Sequence, residues 1–335
     1  MAMHVSISVI LPVFWRQPSP QAIRDLRRAL DSVLGQSYPD AFEVLVVDDG
    51  SPNPVAGALA ETAYAADSRI HWIRLPRNGG LVNALNVGLA SARYDFVGRI
   101  DSDDSWRPGK IEKQARLLQQ DPDLTIVGSG MRLVREDGSP DEDLVRPGDW
   151  KGILNFFVTV GCPFPHGSIV ARRSVFTLLG GYPHDMRFAH CEDYALWGVW
   201  LRFFKPAMVE EILYDYTVST ASVSGVHGHQ QREGSGLVQQ TFIDLGDSSR
   251  LPAALLGLSK ELGVSLYEAG RLSFLLWKYR PTTALPEGAV EHLRILLPDR
   301  RIVLSRVPER SWHGWPSAQA TSAQTTGPLV GLHVM

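Results

Sequence analysis

The sequence has little of what marks secreted, membrane-spanning or nucleic-acid-binding proteins. Its 335 residues include two cysteines, Cys162 and Cys191, too few for a disulfide framework and without the spacing of a zinc site. It contains no run of about 20 apolar residues, so we expect no transmembrane helix. The formal net charge of −3 gives no overall attraction to nucleic acid, which we do not expect as a partner.

The N-terminal residues Met1-Ala2-Met3-His4 lack the charged and apolar regions of a signal peptide. We therefore expect a cytoplasmic protein with free thiols. Hydrophobic residues make up 44% of the chain and charged residues 21%, as in ordinary globular proteins. The length suits one large α/β domain with an appendage, or two domains.

The chain does contain a run of acidic residues directly after an apolar segment. Tyr94 to Ile100 is predicted to form a buried strand, and Asp101, Asp103 and Asp104 follow it. Carboxylates this close repel one another unless a cation lies nearby. Carboxylate and phosphate oxygens suit Mg²⁺ and Mn²⁺, so we interpret the run as a divalent-metal site for a phosphorylated substrate. The alternative is a solvated turn in which one of the aspartates caps a helix.

A second acidic pair, Asp48-Asp49, also follows a predicted strand. The N-terminal part is predicted to alternate strands and helices: Val5–Val13, Pro20–Gln36, Phe42–Val47, Ile70–Leu75 and Leu81–Ala92. This alternation indicates βαβ units and an α/β fold with a mostly parallel central sheet flanked by helices. Right-handed crossovers place the carboxyl ends of such strands at one edge, where both acidic clusters can meet in one crevice.

The later part mixes short strands and helices. The predicted elements are a helix from Pro108 to Gln120, a strand over Leu124–Gly128, a hairpin and loop over 131–148, helices over Trp150–Val158, Arg173–Leu179 and Glu192–Phe204, and strands over His166–Ala171 and 207–218. Residues 227–245 are polar and receive no element. Helices are predicted over Leu251–Arg280, a last strand over Ile302–Leu304, and loose or disordered chain over Ala318–Thr326.

Several segments match one enzyme family, in its order and at similar spacing. They are Ser8–Phe14, Val46–Ser51, Asn78–Asn86, Asp101–Asp104, Gly180-Gly181-Tyr182 and Glu192–Trp197. Over residues 5–220 the chain resembles the family 2 glycosyltransferases, which are inverting enzymes of the GT-A fold that use nucleotide-activated sugars. The resemblance is to the type that assembles bacterial polysaccharides and other glycans.

The resemblance implies a role for individual residues. Asp49, or Asp48, would accept a hydrogen bond from a uracil-type base, and Asp193 matches the general base that takes the proton of an acceptor hydroxyl. Asp103 and Asp104 would approach Mn²⁺ or Mg²⁺ that offsets the charge of the leaving diphosphate. The substrate-binding residues implied in this way are Pro12, Phe14, Asp48, Asp49, Asn83, Arg99, Asp101, Ser102, His166 and Glu192.

Simpler explanations exist for some of these residues. Asp193 is also explained as an acidic residue in the first turn of a helix, where it interacts favourably with the helix dipole. Arg99 is also explained as a positive charge that balances the carboxylates beside it. The family often carries a Tyr-Arg-x-His pattern after its last strand, where this chain has Tyr216-Thr217-Val218-Ser219. Whether a histidine such as His227 or His229 completes the metal shell therefore stays open.

We predict a catalytic domain over residues 1–225, with a nucleotide-sugar-binding half (1–105) and an acceptor-side half (106–225). A mostly helical extension (226–315) and a flexible tail (316–335) follow. The predicted reaction moves a sugar from a nucleotide-sugar, UDP by default, to a hydroxyl of a growing glycan, free or lipid-linked. The extension can contact the cytoplasmic face of a membrane or pack on the catalytic domain or on a second subunit of a homodimer.

Two other functions remain as alternatives. One is a non-catalytic scaffold that binds nucleotide-sugars. The other is a sugar-phosphate nucleotidyltransferase, which we disfavour because the loop after the first strand, Phe14 to Pro18, has no glycine.

Overall fold

The computed structural model describes residues 4–218, 223–243, 248–279, 285 and 287–297. The predicted strand Ile302–Leu304 and the predicted tail 316–335 lie outside these ranges. The chain divides into two compact units, Met1–Asp244 and Leu245–Met335. Within the described ranges, no helix combines the length and the apolar character needed to cross a membrane.

The first unit alternates strands and helices as the sequence predicts. Its strands are β1 (Ile7–Val13), β2 (Phe42–Asp48), β3 (Ile70–Arg74), β4 (Phe96–Arg99), β5 (Ser105–Trp106), β6 (Leu124–Arg135), β7 (Pro140–Leu144), β8 (Val170–Arg172) and β9 (Lys205–Val218). Its helices are α1 (Pro20–Leu34), α2 (Leu81–Ser91), α3 (Lys110–Gln120), α4 (Trp150–Thr159), α5 (Arg173–Leu179), α6 (Glu192–Phe203) and α7 (Val223–Ile243).

All nine strands belong to one sheet. The strand order is β3-β2-β1-β4-β8-β6-β9-β5, and β7 pairs with β6. The longer ladders are parallel: β1 with β2 and β4, β2 with β3, and β6 with β9. The antiparallel pairs, β4–β8, β6–β8, β6–β7 and β5–β9, are short. The predicted α/β fold with a mostly parallel sheet is therefore confirmed.

Strand β1 lies at the centre of the parallel half, and all seven of its residues are buried. Pro12 is tolerated there because the β1–β4 pairing ends at Ile10, so no ladder bond on that side needs its missing N–H. Helix α1 packs its buried residues Leu26, Leu30 and Val33 into the same core. The Ser19 hydroxyl caps this helix by accepting a hydrogen bond from Ala22 N at 3.0 Å.

The segments that differ from the sequence prediction include three near the candidate site. Residues His166–Ser168 form a 3₁₀ turn after Pro165, and only Val170–Arg172 pairs as a strand. Strand β6 continues beyond Gly128 to Arg135, because the predicted hairpin pairs β6 with β7. Helix α7 spans a segment to which we assigned no element, since its glycines and polar residues conceal a helical period.

The second unit contains α8 (Leu251–Leu262), α9 (Leu266–Tyr279) and α10 (Glu287–Leu296). The predicted helices over Leu251–Arg280 correspond to α8 and α9. Helices α8 and α10 approach closely through a glycine on each: a Cβ atom on Gly257 would lie 2.1 Å from His292, and one on Gly288 would lie 2.4 Å from Glu261. Small residues at these positions allow the two backbones to pack.

The close packing of the loop after β2 can be tested by comparing Gly50, which lies in that loop, with Gly138, which lies in the turn between β6 and β7; both have positive φ. Gly50 (φ +70°) lies so close to the chain that an added Cβ would be 2.2 Å from the carbonyl carbon of Arg77, whereas Gly138 (φ +84°) faces open space. We expect Gly138→Ala to lower the free energy of unfolding by about 1–2 kcal/mol, the cost of a left-handed alanine. Gly50→Ala should cost clearly more, because the backbone must also move. Urea denaturation of both variants measures this difference, and equal losses would contradict the packing described.

Candidate active site

A cavity of about 260 Å³ lies at the end of β4 and the N-terminus of α6, and we call it the central cavity. Six of the predicted site residues line it: Arg99, Asp101, Asp103, His166, Glu192 and Asp193. They come from three stretches that are far apart in the sequence. The structure thus brings the acidic run after β4 to the same space as the acidic pair that opens α6.

Arg99 and Asp101 form a two-bonded ion pair on one side of the cavity. Both guanidinium Nη atoms donate to the Asp101 carboxylate, Nη1 to Oδ2 at 2.5 Å. Arg99 is buried, and burial is the largest influence and would lower its pKa, but the charge of Asp101 together with the acidic groups around it outweighs burial and raises the pKa. Arg99 therefore stays charged and neutralises Asp101 directly.

Asp103 has a different environment from its neighbours. Its main-chain oxygen accepts hydrogen bonds from Arg28 Nη2 and Thr217 Oγ1, which fix the backbone. Within the described ranges, no Lys, Arg or His forms an ion pair with its carboxylate. Burial and then the charge of Asp101 raise the pKa of Asp103 to about 6. This carboxylate faces the cavity without a protein cation.

The carboxylate of Asp104 is buried and hydrogen-bonded to other parts of the protein. The residue is 1% exposed, and its carboxylate accepts hydrogen bonds from Thr217 N at 2.7 Å and from the Tyr214 hydroxyl. Both carboxylate oxygens therefore have donors from β9. In this structure Asp104 anchors the acidic run to β9, and its role as a metal ligand stays a prediction.

Glu192 and Asp193 occupy the first turn of α6. The exposed fractions are 7% for the Glu192 residue and 20% for the Asp193 side chain. Burial, followed by the charge of Asp193, raises the pKa of Glu192 to about 7. Burial also raises the pKa of Asp193, while the Tyr194 N–H and the charge of Arg99 oppose that rise. The helix terminus and Arg99 thus help a buried carboxylate to remain ionised.

His166 lies between Asp193 and the core. Its Nε2 is 2.8 Å from the Tyr182 hydroxyl, and its Nδ1 is 3.9 Å from Asp193 Oδ2. Burial, and then the positive charge of Arg99, lowers the pKa of His166 well below its ordinary value. The ring is therefore neutral at neutral pH.

The acidic pair after β2 is engaged by backbone amides. Asp48 accepts from Ser51 N at 2.9 Å and Val55 N at 3.1 Å. Asp49 accepts from Gly79 N at 2.9 Å and Gly80 N at 2.8 Å. Both aspartates shape the loops at this edge of the sheet, and neither lines the central cavity.

The other predicted residues lie around this edge. Phe14 (39% exposed) and Ser102 line a second cavity of about 720 Å³, and Asp103 borders both cavities. Pro12 is buried in β1. Asn83 lies in the first turn of α2 beside Gly79, where a Cβ atom would be 2.5 Å from Asn83 Nδ2.

The residues that line the central cavity without having been predicted include His190, Tyr214, Thr217 and Gln231. His190 has a positive φ of 67° in the loop before α6. Thr217 lies in the segment that departs from the family's Tyr-Arg-x-His pattern. This departure was the feature of the sequence that could have identified Thr217 as a residue of the site. Gln231 could not be found because α7 was not predicted.

The histidine left open for a metal shell receives no support from this structure. His229 has a side chain that is 79% exposed and pairs with Glu233 at 3.5 Å. The side chain of His227 and all of Ser219 lie outside what the structure describes.

The cavity fits a metal that a substrate helps to hold. In the described part of the chain, no three His, Cys, Asp or Glu side chains converge as a complete metal site. One carboxylate without a protein cation, Asp103, matches a Mg²⁺ or Mn²⁺ site in which waters and substrate phosphates supply the remaining ligands.

The sequence model described as Glycosyl transferase family 2 matches residues 8–179, slightly more than half of the chain. The chain belongs to this family. The matched segment contains the acidic runs after β2 and β4, and the resemblance seen in the motifs is confirmed. The protein is accordingly a glycosyltransferase.

Known proteins of similar sequence and structure agree with the family. The putative glycosyltransferase EpsE of Bacillus subtilis is 31% identical over 212 residues, which cover 62% of this chain and 71% of EpsE. The crystal structure of Staphylococcus aureus TarS 1–349 with UDP-GlcNAc aligns with TM-score 0.53 at 18% identity, covering 88% of this chain and 73% of that one.

A second structural neighbour is the mannosyltransferase PcManGT of Pyrobaculum calidifontis in complex with GDP-Man and Mn²⁺. It aligns with TM-score 0.53 at 16% identity, covering 89% of this chain and 87% of that one. At these identities the two neighbours establish the fold, which is the predicted GT-A fold.

The raised pKa of Glu192 gives a pH test of the site. A carboxyl whose folded pKa is raised contributes stability at low pH that is lost as pH rises through the folded value, here about 7. We expect Glu192→Gln to match wild type in urea unfolding near pH 4 and to exceed it by about 3 kcal/mol at pH 8. Glu112→Gln on α3, whose side chain is 49% exposed, is the control and should show no such divergence. Parallel stability curves for Glu192→Gln and wild type would exclude this placement of Glu192.

Proposed function

We propose that the protein transfers a sugar from a nucleotide-sugar, with UDP as the first choice, to a hydroxyl of a growing glycan, with inversion at the anomeric carbon. The observation that carries this proposal is the central cavity, where Asp103 faces inward without a protein cation and Asp193 faces inward from a helix N-terminus. One carboxylate suits the metal-diphosphate end of a donor, and the other suits an acceptor hydroxyl.

The donor end is assigned to Asp103 and its neighbours. Mn²⁺ or Mg²⁺, when bound, would stabilise the negative charge that develops on the leaving diphosphate. Asp103 would hold the metal together with water and phosphate oxygens, and Arg99 keeps Asp101 neutralised beside it. The bound Mn²⁺ and GDP-Man of PcManGT, and the bound UDP-GlcNAc of TarS, support this class of ligand.

The nucleotide is assigned to the edge formed by β1, β2 and the second cavity. Phe14 presents a half-exposed ring at the end of β1, suited to contact with a base. We assign Pro12, Asn83 and Ser102 to the same group, as the resemblance implied. Asp49 uses one lone pair of each oxygen for Gly79 and Gly80, and each oxygen retains another for a base N–H.

The acceptor end is assigned to Asp193. The acceptor oxygen attacks the anomeric carbon from the face opposite the diphosphate, and the carbon–oxygen bond to the diphosphate breaks with its electron pair remaining on the phosphate oxygen. Asp193 takes the hydroxyl proton as the new bond forms. Glu192 and His166 border the same space and would orient the acceptor. A glycan, free or lipid-linked, is the proposed acceptor, and membrane contact or a homodimer stays a prediction.

The donor assignment is tested by calorimetric titration with UDP, GDP and dTDP, each with and without Mn²⁺. We expect one nucleotide to bind at least tenfold more tightly with Mn²⁺, because the metal joins its diphosphate to Asp103. Asp103→Ala should lose this increment. Asp141→Ala, an acid on β7 paired with Arg135, should keep it. Metal-dependent binding that survives in Asp103→Ala would remove Asp103 from the site, and no nucleotide binding by the folded protein would favour the scaffold alternative.

The base assignment is tested by Asp193→Asn. This change keeps the shape of the side chain but removes the proton acceptor, so turnover should fall by about 10²–10⁴-fold while nucleotide binding is unchanged. The readout is nucleotide release from UDP-GlcNAc or GDP-Man in the presence of Mn²⁺. Asp185→Asn, in the loop before α6, is the control and should behave as wild type. Normal turnover by Asp193→Asn would refute the assignment.

A further inference from the structure

Tyr182, in the turn after α5, is held at both its backbone and its hydroxyl. Its N–H donates to Asn86 Oδ1 at 2.8 Å, and its carbonyl accepts from Asn86 Nδ2 at 3.0 Å. Its hydroxyl lies 2.8 Å from His166 Nε2, and the residue is 2% exposed. Helix α2, which carries Asn86, thus fixes the position of a hydroxyl that contacts a cavity residue.

Gly181 makes this clamp possible. Its φ is +78°, and a Cβ atom there would lie 2.4 Å from Asn86 Oδ1. Any other residue would therefore displace Asn86 as well as strain the backbone. Tyr182 consequently has one well-defined backbone placement.

The surroundings of His166 select one of its two neutral tautomers. Burial raises the pKa of Tyr182, so its hydroxyl keeps its proton and is able to donate a hydrogen bond to Nε2. In that arrangement the ring proton is on Nδ1, the nitrogen that faces Asp193 Oδ2. The opposite tautomer would direct an Nδ1 lone pair at a carboxylate, which is repulsive.

We propose that Tyr182 and His166 are positioning residues for Asp193: the Tyr182 hydroxyl fixes the Nδ1–H tautomer of His166, and this N–H orients the Asp193 carboxylate toward the acceptor. The proposal rests on the proposed function, in which Asp193 is the base. At 3.9 Å the attraction between Nδ1–H and Oδ2 is electrostatic rather than a formed hydrogen bond. The thiol of Cys162 also lies 3.9 Å from Oδ2, so the two carboxylate oxygens are not equivalent.

The tautomer can be measured without any substrate. In protein labelled with nitrogen-15 histidine, ring-nitrogen chemical shifts distinguish a protonated from an unprotonated nitrogen, and the resonance missing from His166→Asn identifies His166 among the ten histidines. We expect protonated Nδ1 and unprotonated Nε2 in wild type, and a shift toward protonated Nε2 in Tyr182→Phe. Protonated Nε2 in wild type, a doubly protonated ring, or no change in Tyr182→Phe would overturn the proposal.

Kinetics with the bound donor separate positioning from structural support. Tyr182→Phe should lower kcat for release of UDP from UDP-GlcNAc, or GDP from GDP-Man, about fivefold to tenfold while KM for the donor stays unchanged. The acidic limb of the kcat profile should move to higher pH, because an Nδ1 lone pair disfavours ionised Asp193. The other titratable or charged groups that interact with this carboxylate are all retained in the variant: Arg99, Asp101, Arg146, Cys162, Cys191 and Glu192.

Two controls complete the experiment. Tyr194→Phe removes a buried hydroxyl on α6 that donates to Phe157 O at 2.8 Å, and it should leave the acidic limb in place. In a His166→Asn background, whose amide has no tautomers, Tyr182→Phe should cause little further loss of kcat. Equal losses in both backgrounds would overturn the proposal. Normal turnover by Asp193→Asn would instead refute the proposed base, so the two failures are distinguishable.

Discussion

The burial of Arg99 among carboxylates is the constraint on which the rest of the site depends. Asp101, Asp103, Asp104, Glu192 and Asp193 all interact with its charge or with one another's. Carboxylates this close cannot all remain ionised without compensation. The fold meets this requirement unevenly: Asp101 has the guanidinium, Asp104 has donors from β9, and Asp193 has a helix terminus. Asp103 forms no ion pair with a Lys, Arg or His in the described part of the chain, and our proposal therefore places an external cation there.

The same constraint explains the long connections in the first unit. Thr217 and Tyr214 on β9 bond to Asp104, more than a hundred residues earlier in the chain. Tyr214 also lies against Gly167, where a Cβ atom would be 2.2 Å from its hydroxyl. Strand β9 thus supports both the acidic run and the turn that carries His166. The contacts from β9 to Asp104 and Gly167 thus shape the central cavity.

The sequence was sufficient for the fold and for the shared carboxyl edge of β2 and β4, but not for the composition of the central cavity, which Asp48 and Asp49 do not line. Apolar segments that end in Asp48-Asp49 and Asp101–Asp104 indicated parallel strands with a shared carboxyl edge, and the sheet confirms this. The sequence alone could not show that the Asp104 carboxylate is hydrogen-bonded inside the protein while the Asp103 carboxylate faces the cavity, because this difference depends on hydrogen bonds from β9. The strand predicted at His166 failed because Pro165 and Gly167 favour a 3₁₀ turn. Nor could composition disclose α7, whose glycines weaken every local helical signal.

Thr217 bonds to two adjacent aspartates at once, with its N–H on the Asp104 carboxylate and its hydroxyl on the Asp103 carbonyl. Val218, the next residue, ends β9. A ligand that restrains the main chain at Asp103 therefore also restrains the end of this strand. By the reciprocity of linked equilibria, a contact at the end of β9 that favours this same arrangement would strengthen binding at Asp103 by the factor with which binding at Asp103 strengthens that contact.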